Sequence, residues 1–175
     1  SLVNEQLLRF DFSHFGKMTE EEIEKVENIV NAKVRENIPL IERRNVQIEE
    51  AKSNGATALF GEKYGEFVRV ITFDPTYSVE LCGGTHVHST SQIGLVKIIS
   101  EGSISAGVRR IEAITSTAAE FYLREQENML KEIQELLKNP KDIKKAIEAL
   151  IEERNSLKKE IEVLYLEKSS GIKAE

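Results

Sequence analysis

Residues 81–88, which read "LCGGTHVH", hold the side chains of this chain best suited to metal chemistry. Cys82 is the chain's only cysteine, and His86 follows it after three residues, two of which are Gly83 and Gly84. Thiolate and imidazole are typical zinc ligands, and zinc takes four ligands, or three and a water. Glycines permit a tight bend that brings the two side chains to one point. On spacing alone this signal for half a zinc site is weak, because a lone cysteine is usually a small buried apolar residue, and both interpretations stay open at this point.

Any further ligands have to come from elsewhere in the chain. The other two histidines are His14 and His88, and Asp11 and Glu80 are candidate oxygen donors. His88 lies two residues beyond His86 and would share its face on a strand. The spacing alone does not select among them.

A second candidate site is the segment "EGSISAGVRRIEAIT". Its composition predicts a loop over residues 101–107, whose backbone N–H groups are able to hold an anion. If Arg109 and Arg110 lie on the following strand, they point to opposite faces, so one of them is able to face a pocket. The alternative is a salt bridge, for instance to Glu112 or Glu80.

The elements around these residues predict an α+β fold, mainly an antiparallel sheet with packed helices. Alternating apolar residues predict strands over residues 7–12, 66–73, 77–81, 93–100 and 108–115, and a weaker one at 40–50. Thr19 and Glu22 form the capping-box pattern that opens a helix, and Pro39 ends it. A short helix is predicted to end near Gly55.

From about residue 117 the pattern becomes purely helical. Two helices are predicted to be separated by Asn139-Pro140, and apolar residues of the second recur in steps of four and three, with Arg154 in one seam position. We therefore expect two domains, 1–116 and 117–175. The second is either a helical hairpin within one chain or a coiled coil through which the protein self-associates.

Composition narrows the functional classes. The chain has 175 residues and a formal net charge of -6, which argues against a broad nucleic-acid-binding patch although it permits a local one. A single cysteine indicates a reducing compartment, and no apolar run has the roughly 20 residues of a membrane helix. We therefore expect a cytoplasmic protein that does not contact membranes. The abrupt start and end suggest that the chain is a segment of a longer protein.

Four motifs, "RFDFSHF", "LFGEKYG", "VELCGGTHV" and "GSISAGVRRIEAIT", occur in this order. Together they resemble alanyl-tRNA synthetase, in the part that holds its editing domain. The resemblance covers residues 1–116, and the helices that follow are similar to the linker to that family's C-terminal domain. "LFGEKYG" and the helical tail favour the synthetase over free-standing editing proteins and over threonyl-tRNA synthetase, in which the domain is similar.

The resemblance implies that the domain hydrolyses the ester bond of mischarged Ser-tRNA(Ala) or Gly-tRNA(Ala). The family binds zinc through H-x-x-x-H and C-x-x-x-H; Cys82 and His86 match the second motif, whereas the first is absent here and in the family precedes "SLV". The isolated chain is therefore expected to be inactive. The parent family joins alanine to tRNA(Ala) with ATP and magnesium, in a catalytic domain that this sequence lacks.

The resemblance and the residue chemistry together suggest individual roles. Cys82, Thr85 and Arg109 are the candidate catalytic residues. The candidate substrate-binding residues are Gly83, Gly84, Arg109 and Arg110. Two other functions stay open, a non-catalytic RNA-binding or assembly module and a free-standing aminoacyl-tRNA editing protein.

Overall fold

The computed structural model describes residues 1–58 and 64–171 and confirms the α+β class. Its strands are β1 Leu2–Val3, β2 Leu8–Ser13, β3 Ile41–Gln47, β4 Phe67–Phe73, β5 Ser78–Leu81, β6 Val96–Ser105 and β7 Val108–Thr115. Its α-helices are α1 Glu20–Arg35, α2 Ile48–Ser53, α3 Ser116–Leu136 and α4 Ile143–Gly171. The strands form two sheets, in the orders β1-β2-β7-β6 and β3-β4-β5, with antiparallel neighbours. Contacts divide the chain into residues 1–122 and residues 123–175.

Helix α1 begins where its sequence predicts. Thr19 accepts a hydrogen bond from the backbone N–H of Glu22, and the Glu22 carboxylate accepts one from the backbone N–H of Thr19 at 2.8 Å, which completes the capping box. These bonds satisfy N–H groups that lack partners inside the helix. The apolar face of α1 then packs Val34 against Val96 and Ala113 of the first sheet.

Two polar side chains of α1 bind the backbone of strand β6. The buried Asn31 accepts a hydrogen bond from Val96 N–H at 2.9 Å and donates one to Val96 C=O at 2.8 Å. One turn earlier, the Glu27 carboxylate accepts a hydrogen bond from Ile98 N–H at 2.9 Å. The helix is therefore held to this strand by specific polar bonds as well as by apolar packing.

The prediction of a loop over residues 101–107 is wrong. Strand β6 continues to Ser105, and Glu101, Gly102 and Ser103 pair with β7, so only Ala106 and Gly107 form the turn. Gly107 has a φ of +71°, a conformation that suits glycine. The long partner strand keeps this serine- and glycine-rich segment extended, and the expected anion-binding loop does not form.

The second sheet positions the candidate site. Val46, Val68, Val70 and Leu81 form its buried core together with the helix residue Ala51. Leu81 is only 2% exposed. Part of the motif "LFGEKYG", residues 59–63, lies outside the described residues.

Residues 123–175 contain the rest of α3 and the long helix α4. Lys138 and Asn139 have positive φ values before the predicted break, and Asp142 caps α4 by accepting a hydrogen bond from Lys145 N–H at 3.0 Å. The seam residues Leu157 and Ile161 of α4 are about half exposed. None of the helices described is long and apolar enough to cross a membrane. The predicted self-association through this seam stays a prediction.

Candidate metal and substrate site

The bend that contains Cys82 starts where β5 ends. Leu81 is buried in the sheet core, and its N–H donates to Thr57 C=O at 3.0 Å. Cys82 N–H still donates to Arg69 C=O of β4, at 3.2 Å. The chain then leaves the sheet through Gly83 and Gly84, which are exposed. A buried leucine thus anchors the strand immediately before the candidate metal ligand.

Arg69 ties the bend to the sheet from the middle strand, β4. Its Nη1 donates to the C=O of Cys82 at 3.2 Å and to the C=O of Gly84. Its Nε donates at 2.9 Å to Oε1 of Glu42, on the neighbouring strand β3. One guanidinium therefore connects β3 with both sides of the double-glycine bend.

The charges around Arg69 reinforce this arrangement. Hydrogen bonds from Arg69 and Arg44 lower the pKa of Glu42 to about 2. The hydrogen bond with the Glu42 carboxylate in turn raises the pKa of Arg69. Glu42 is therefore ionised at neutral pH and holds one edge of the Arg69 guanidinium.

An open cavity of about 600 Å³ lies beside the bend. Strand β3 contributes Glu42 and Arg44, β4 contributes Arg69, and the bend contributes Thr85 and both glycines. His86 and His88 also line this cavity. Its volume suits a small organic group such as an aminoacyl moiety.

His86 carries an unusual buried atom. Within residues 1–58 and 64–171, its Nε2 is buried and has no hydrogen-bond partner. The ring is partly buried, with its centroid 6.3 Å from that of Phe73. Because an unpaired buried nitrogen is costly, the atom is suited to a ligand such as a metal ion.

Cys82 has a partly buried, free thiol. Its Sγ lies 3.6 Å from the position that a Cβ on Gly84 would occupy. A side chain at position 84 would therefore contact the sulfur, whereas the glycine leaves this side of the thiol open.

The other candidate ligands have separate positions or partners. His14 Nδ1 is 2.8 Å from Gly16 C=O, Asp11 pairs with Arg110, and Glu80 accepts a hydrogen bond from the Ser78 hydroxyl at 3.2 Å. Within the two described ranges, no three or more His, Cys, Asp or Glu side chains form a group that could hold a metal ion. Cys82 and His86 therefore provide half of a site at most in this part of the chain.

Arg109 and Arg110 lie on β7 and form ion pairs on its two sides. Arg109 binds Glu101 of β6 through two hydrogen bonds, one of them from Nη2 at 2.8 Å, and the Glu101 side chain is 2% exposed. Arg110 binds Asp11 of β2 at 2.6 and 2.8 Å. The partners are thus Glu101 and Asp11 rather than Glu112 or Glu80, and neither arginine lines the cavity beside the bend.

Comparison with known proteins assigns this arrangement to a family. Residues 68–112 match the family described as "Threonyl and Alanyl tRNA synthetase second additional domain". Over 143 residues, 82% of the chain, it is 69% identical to the alanine–tRNA ligase of Cytophaga hutchinsonii and 57% identical to that of Bacteroides fragilis. It is 53% identical over 142 residues to the Pseudomonas fluorescens enzyme of the same name.

The chain belongs to the alanyl-tRNA synthetase family. It spans 16% of the length of each of these relatives, so it corresponds to one segment of such an enzyme. The matched second additional domain runs from β4 to β7 and includes the whole bend and both arginines of β7.

Sequence reasoning about this synthetase segment missed Arg69 and Glu42. Both residues lie on strands that were predicted, and both point away from the apolar core of the second sheet. The position of Arg69 between Val68 and Val70 is the signal that marks it as a residue of the other sheet face, whereas Glu42 is followed by two arginines and has no such signal. Nothing in that position indicates that Arg69 reaches the carbonyls of a bend 15 residues later.

Proposed function

We propose that this alanyl-tRNA synthetase segment hydrolyses the ester bond of mischarged Ser-tRNA(Ala) or Gly-tRNA(Ala). The observation that carries the proposal is His86, whose buried Nε2 lacks a hydrogen-bond partner within the described residues. It lies in the same bend as the free thiol of Cys82 and lines an open cavity. A buried nitrogen without a partner, close to a cysteine in sequence, is what a metal-binding motif requires before the metal binds.

Cys82 and His86 fit a zinc ion by donor chemistry, and the motif C-x-x-x-H supplies two of the four ligands zinc prefers. The family resemblance assigns the other two to an H-x-x-x-H motif that precedes Ser1. When bound, zinc would supply a Lewis acid that polarises a ligand oxygen or lowers the pKa of a water.

The residues of the bend have roles that follow from their positions. The Thr85 hydroxyl and the backbone of Gly83 and Gly84 border the cavity, so they are placed to orient an aminoacyl ester. A polar group that bonds a substrate hydroxyl discriminates against an analogue that lacks it, because the group is then left unpaired. In this way the bend could distinguish serine from alanine.

The arginines of β7 are weaker candidates for substrate contact. Nε and Nη2 of Arg109 both donate to the Glu101 carboxylate, and the Arg109 side chain is 11% exposed. Arg110, whose side chain is 28% exposed, is more accessible. We therefore assign Arg109 to holding β6 and β7 together, and a substrate contact by either arginine stays a prediction.

The proposal also includes the substrates and the location of the whole enzyme. The natural substrate would be tRNA(Ala) carrying the wrong amino acid, and the ATP and magnesium used in alanine attachment would bind another domain. The cytoplasmic location follows from the proposed role in translation and from the single free cysteine.

The test uses a full-length alanyl-tRNA synthetase that contains this segment. We expect Cys82→Ala and His86→Ala to lower deacylation of Ser-tRNA(Ala) by at least about 100-fold, since loss even of a group that supports a ligand typically costs about 10–100-fold. Attachment of alanine should not change. Metal content, measured by elemental analysis, should fall in parallel.

His88→Ala is the matched control, because His88 lines the same cavity without belonging to the motif. We expect it to change deacylation less than about 10-fold, below the loss for a metal ligand. Unaltered deacylation in both Cys82→Ala and His86→Ala would refute the proposed site.

A further inference from the structure

We propose that Arg69 is the positioning residue that fixes the Gly83–Gly84 bend, and with it the relative placement of Cys82 and His86. Its functional meaning rests on the function proposed above, although the geometric claim does not. Arg69 donates to the carbonyls of Cys82 and Gly84, which precede and follow the first glycine of the bend. One side chain of the sheet therefore binds the backbone on both sides of Gly83.

Few other contacts from the described residues order the bend. Gly83, Gly84 and Thr85 are exposed, and apart from Gly83 itself and its two chain neighbours, no described residue has an atom within 4 Å of the position that a Cβ on Gly83 would occupy. Glycine also has the largest backbone freedom to lose on folding. Without a tie from the sheet, two successive exposed glycines would sample many conformations, and the placement of Cys82 relative to His86 would not be fixed.

Strand β3, the other neighbour of β4, has a bulge directly opposite Arg69. Strands β3 and β4 pair regularly at Arg43 with Val70 and at Val46 with Val68, and the register shifts between these pairs. Two residues of β3, Arg44 and Asn45, therefore stand opposite Arg69 alone, and Asn45 has a φ of +55°. Such a bulge bends the strand that carries the extra residue, here β3, at the point where it passes Arg69.

Glu42, which precedes this bulge on β3, holds the guanidinium of Arg69. It accepts from Arg69 Nε at 2.9 Å, so the opposite edge of the same planar group is free to donate to the bend. A guanidinium presents several donors in a fixed plane, whereas a lysine has a single charged tip. Arg69 therefore bridges the two partners with donors on different nitrogens of one plane, an arrangement that the single nitrogen of a lysine does not provide.

The experiment measures backbone order in this 175-residue chain by nitrogen-15 NMR relaxation. In the unmodified protein we expect the amide order parameters of Gly83 and Gly84 to be close to the value of about 0.85 that marks a rigid backbone. In Arg69→Met we expect them to fall below about 0.6, the flexible range. Arg69→Lys should restore little of this order, because it retains the charge without the planar donor set.

Arg43→Met is the matched control. Arg43 lies on β3 and forms an ion pair with Glu50 at 2.5 Å, so the substitution removes an arginine from the same sheet without touching the bend. Glu42→Gln should lower the order parameters of Gly83 and Gly84 by an intermediate amount. This variant still tests the inference if Arg69→Met does not fold. Rigid glycine amides in Arg69→Lys and in Glu42→Gln would overturn the inference.

A second measurement separates this inference from the proposed function. In the full-length enzyme, Arg69→Met should lower Ser-tRNA(Ala) deacylation about 10–100-fold, the usual effect of losing a group that orients a ligand. If the bend loosens while deacylation survives even in Cys82→Ala, the positioning role stands and the function fails. If Cys82→Ala abolishes deacylation while the bend stays rigid in Arg69→Met, the function stands and the positioning role fails.

Discussion

Replacing Leu81 tests whether the apolar core of the second sheet supports the bend. Leu81 is 2% exposed and packs in the cluster that contains Val68 and Val70. Leu81→Ala removes three buried carbon groups, each worth about 0.8 kcal/mol of transfer free energy, which gives roughly 2.4 kcal/mol. The cavity left behind adds to this value, so we expect a loss of about 3–4 kcal/mol in the free energy of unfolding.

Urea denaturation followed by the NMR signals of Val68 and Val70 provides the assay, because these signals report the sheet rather than the C-terminal helices. With a slope of about 2 kcal/mol per molar urea, the midpoint should fall by roughly 1.5–2 M. Leu81→Met keeps most of the volume and should cost less than about 1.5 kcal/mol.

Leu2→Ala makes the same chemical change at a site that is 39% exposed, in the two-residue strand β1. Its effect should stay within about 0.5 kcal/mol, as for most surface substitutions. If Leu81→Ala lowered stability no more than Leu2→Ala does, Leu81 would not be the anchor that the packing indicates.

Two further predictions concern polar groups. Asn31→Ala leaves the N–H and C=O of Val96 without their side-chain partner, so thermal or urea unfolding should show a loss of about 1–3 kcal/mol, and Val96 N–H should exchange with solvent faster. The hydrogen bonds from Arg69 and Arg44 lower the pKa of Glu42 from 4.5 to about 2, so its stabilising contribution is complete above pH 4.5 and is lost as the pH falls toward 2. Melting temperatures measured across this range should therefore fall less steeply in Glu42→Gln than in the unmodified protein, and parallel curves would contradict the assignment.

The elements predicted correctly are those whose determinants are local. Helix α1 has its capping box at Thr19 and its apolar stripe within one segment, and β4 consists of β-branched and aromatic residues apart from Arg69. The segment 101–105 was mispredicted because its serines and glycine are typical of loops. Its extended state depends on pairing with β7, which is a contact that composition does not reveal.

Only part of the candidate site, like part of the fold, could be predicted from the sequence. Cys82 and His86 form a motif readable in the sequence, and so do the adjacent arginines of β7. The residues that position them were not readable, because the bond from Arg69 to Gly84 joins a strand to a bend 15 residues later, a tertiary contact that one sequence does not reveal. The partners Glu101 and Asp11 likewise depend on strand register, which one sequence does not determine.

The bonds that α1 makes to strand β6 also affect how the protein meets other copies of itself. Strand β6 lies at the rim of its sheet, where unused backbone groups normally act as a template for a foreign strand. Asn31 and Glu27 occupy three of those groups, the N–H and C=O of Val96 and the N–H of Ile98, so an incoming strand cannot bond to them. A helix thus shields the start of this rim, a task that many proteins give to lysines or prolines on the strand itself.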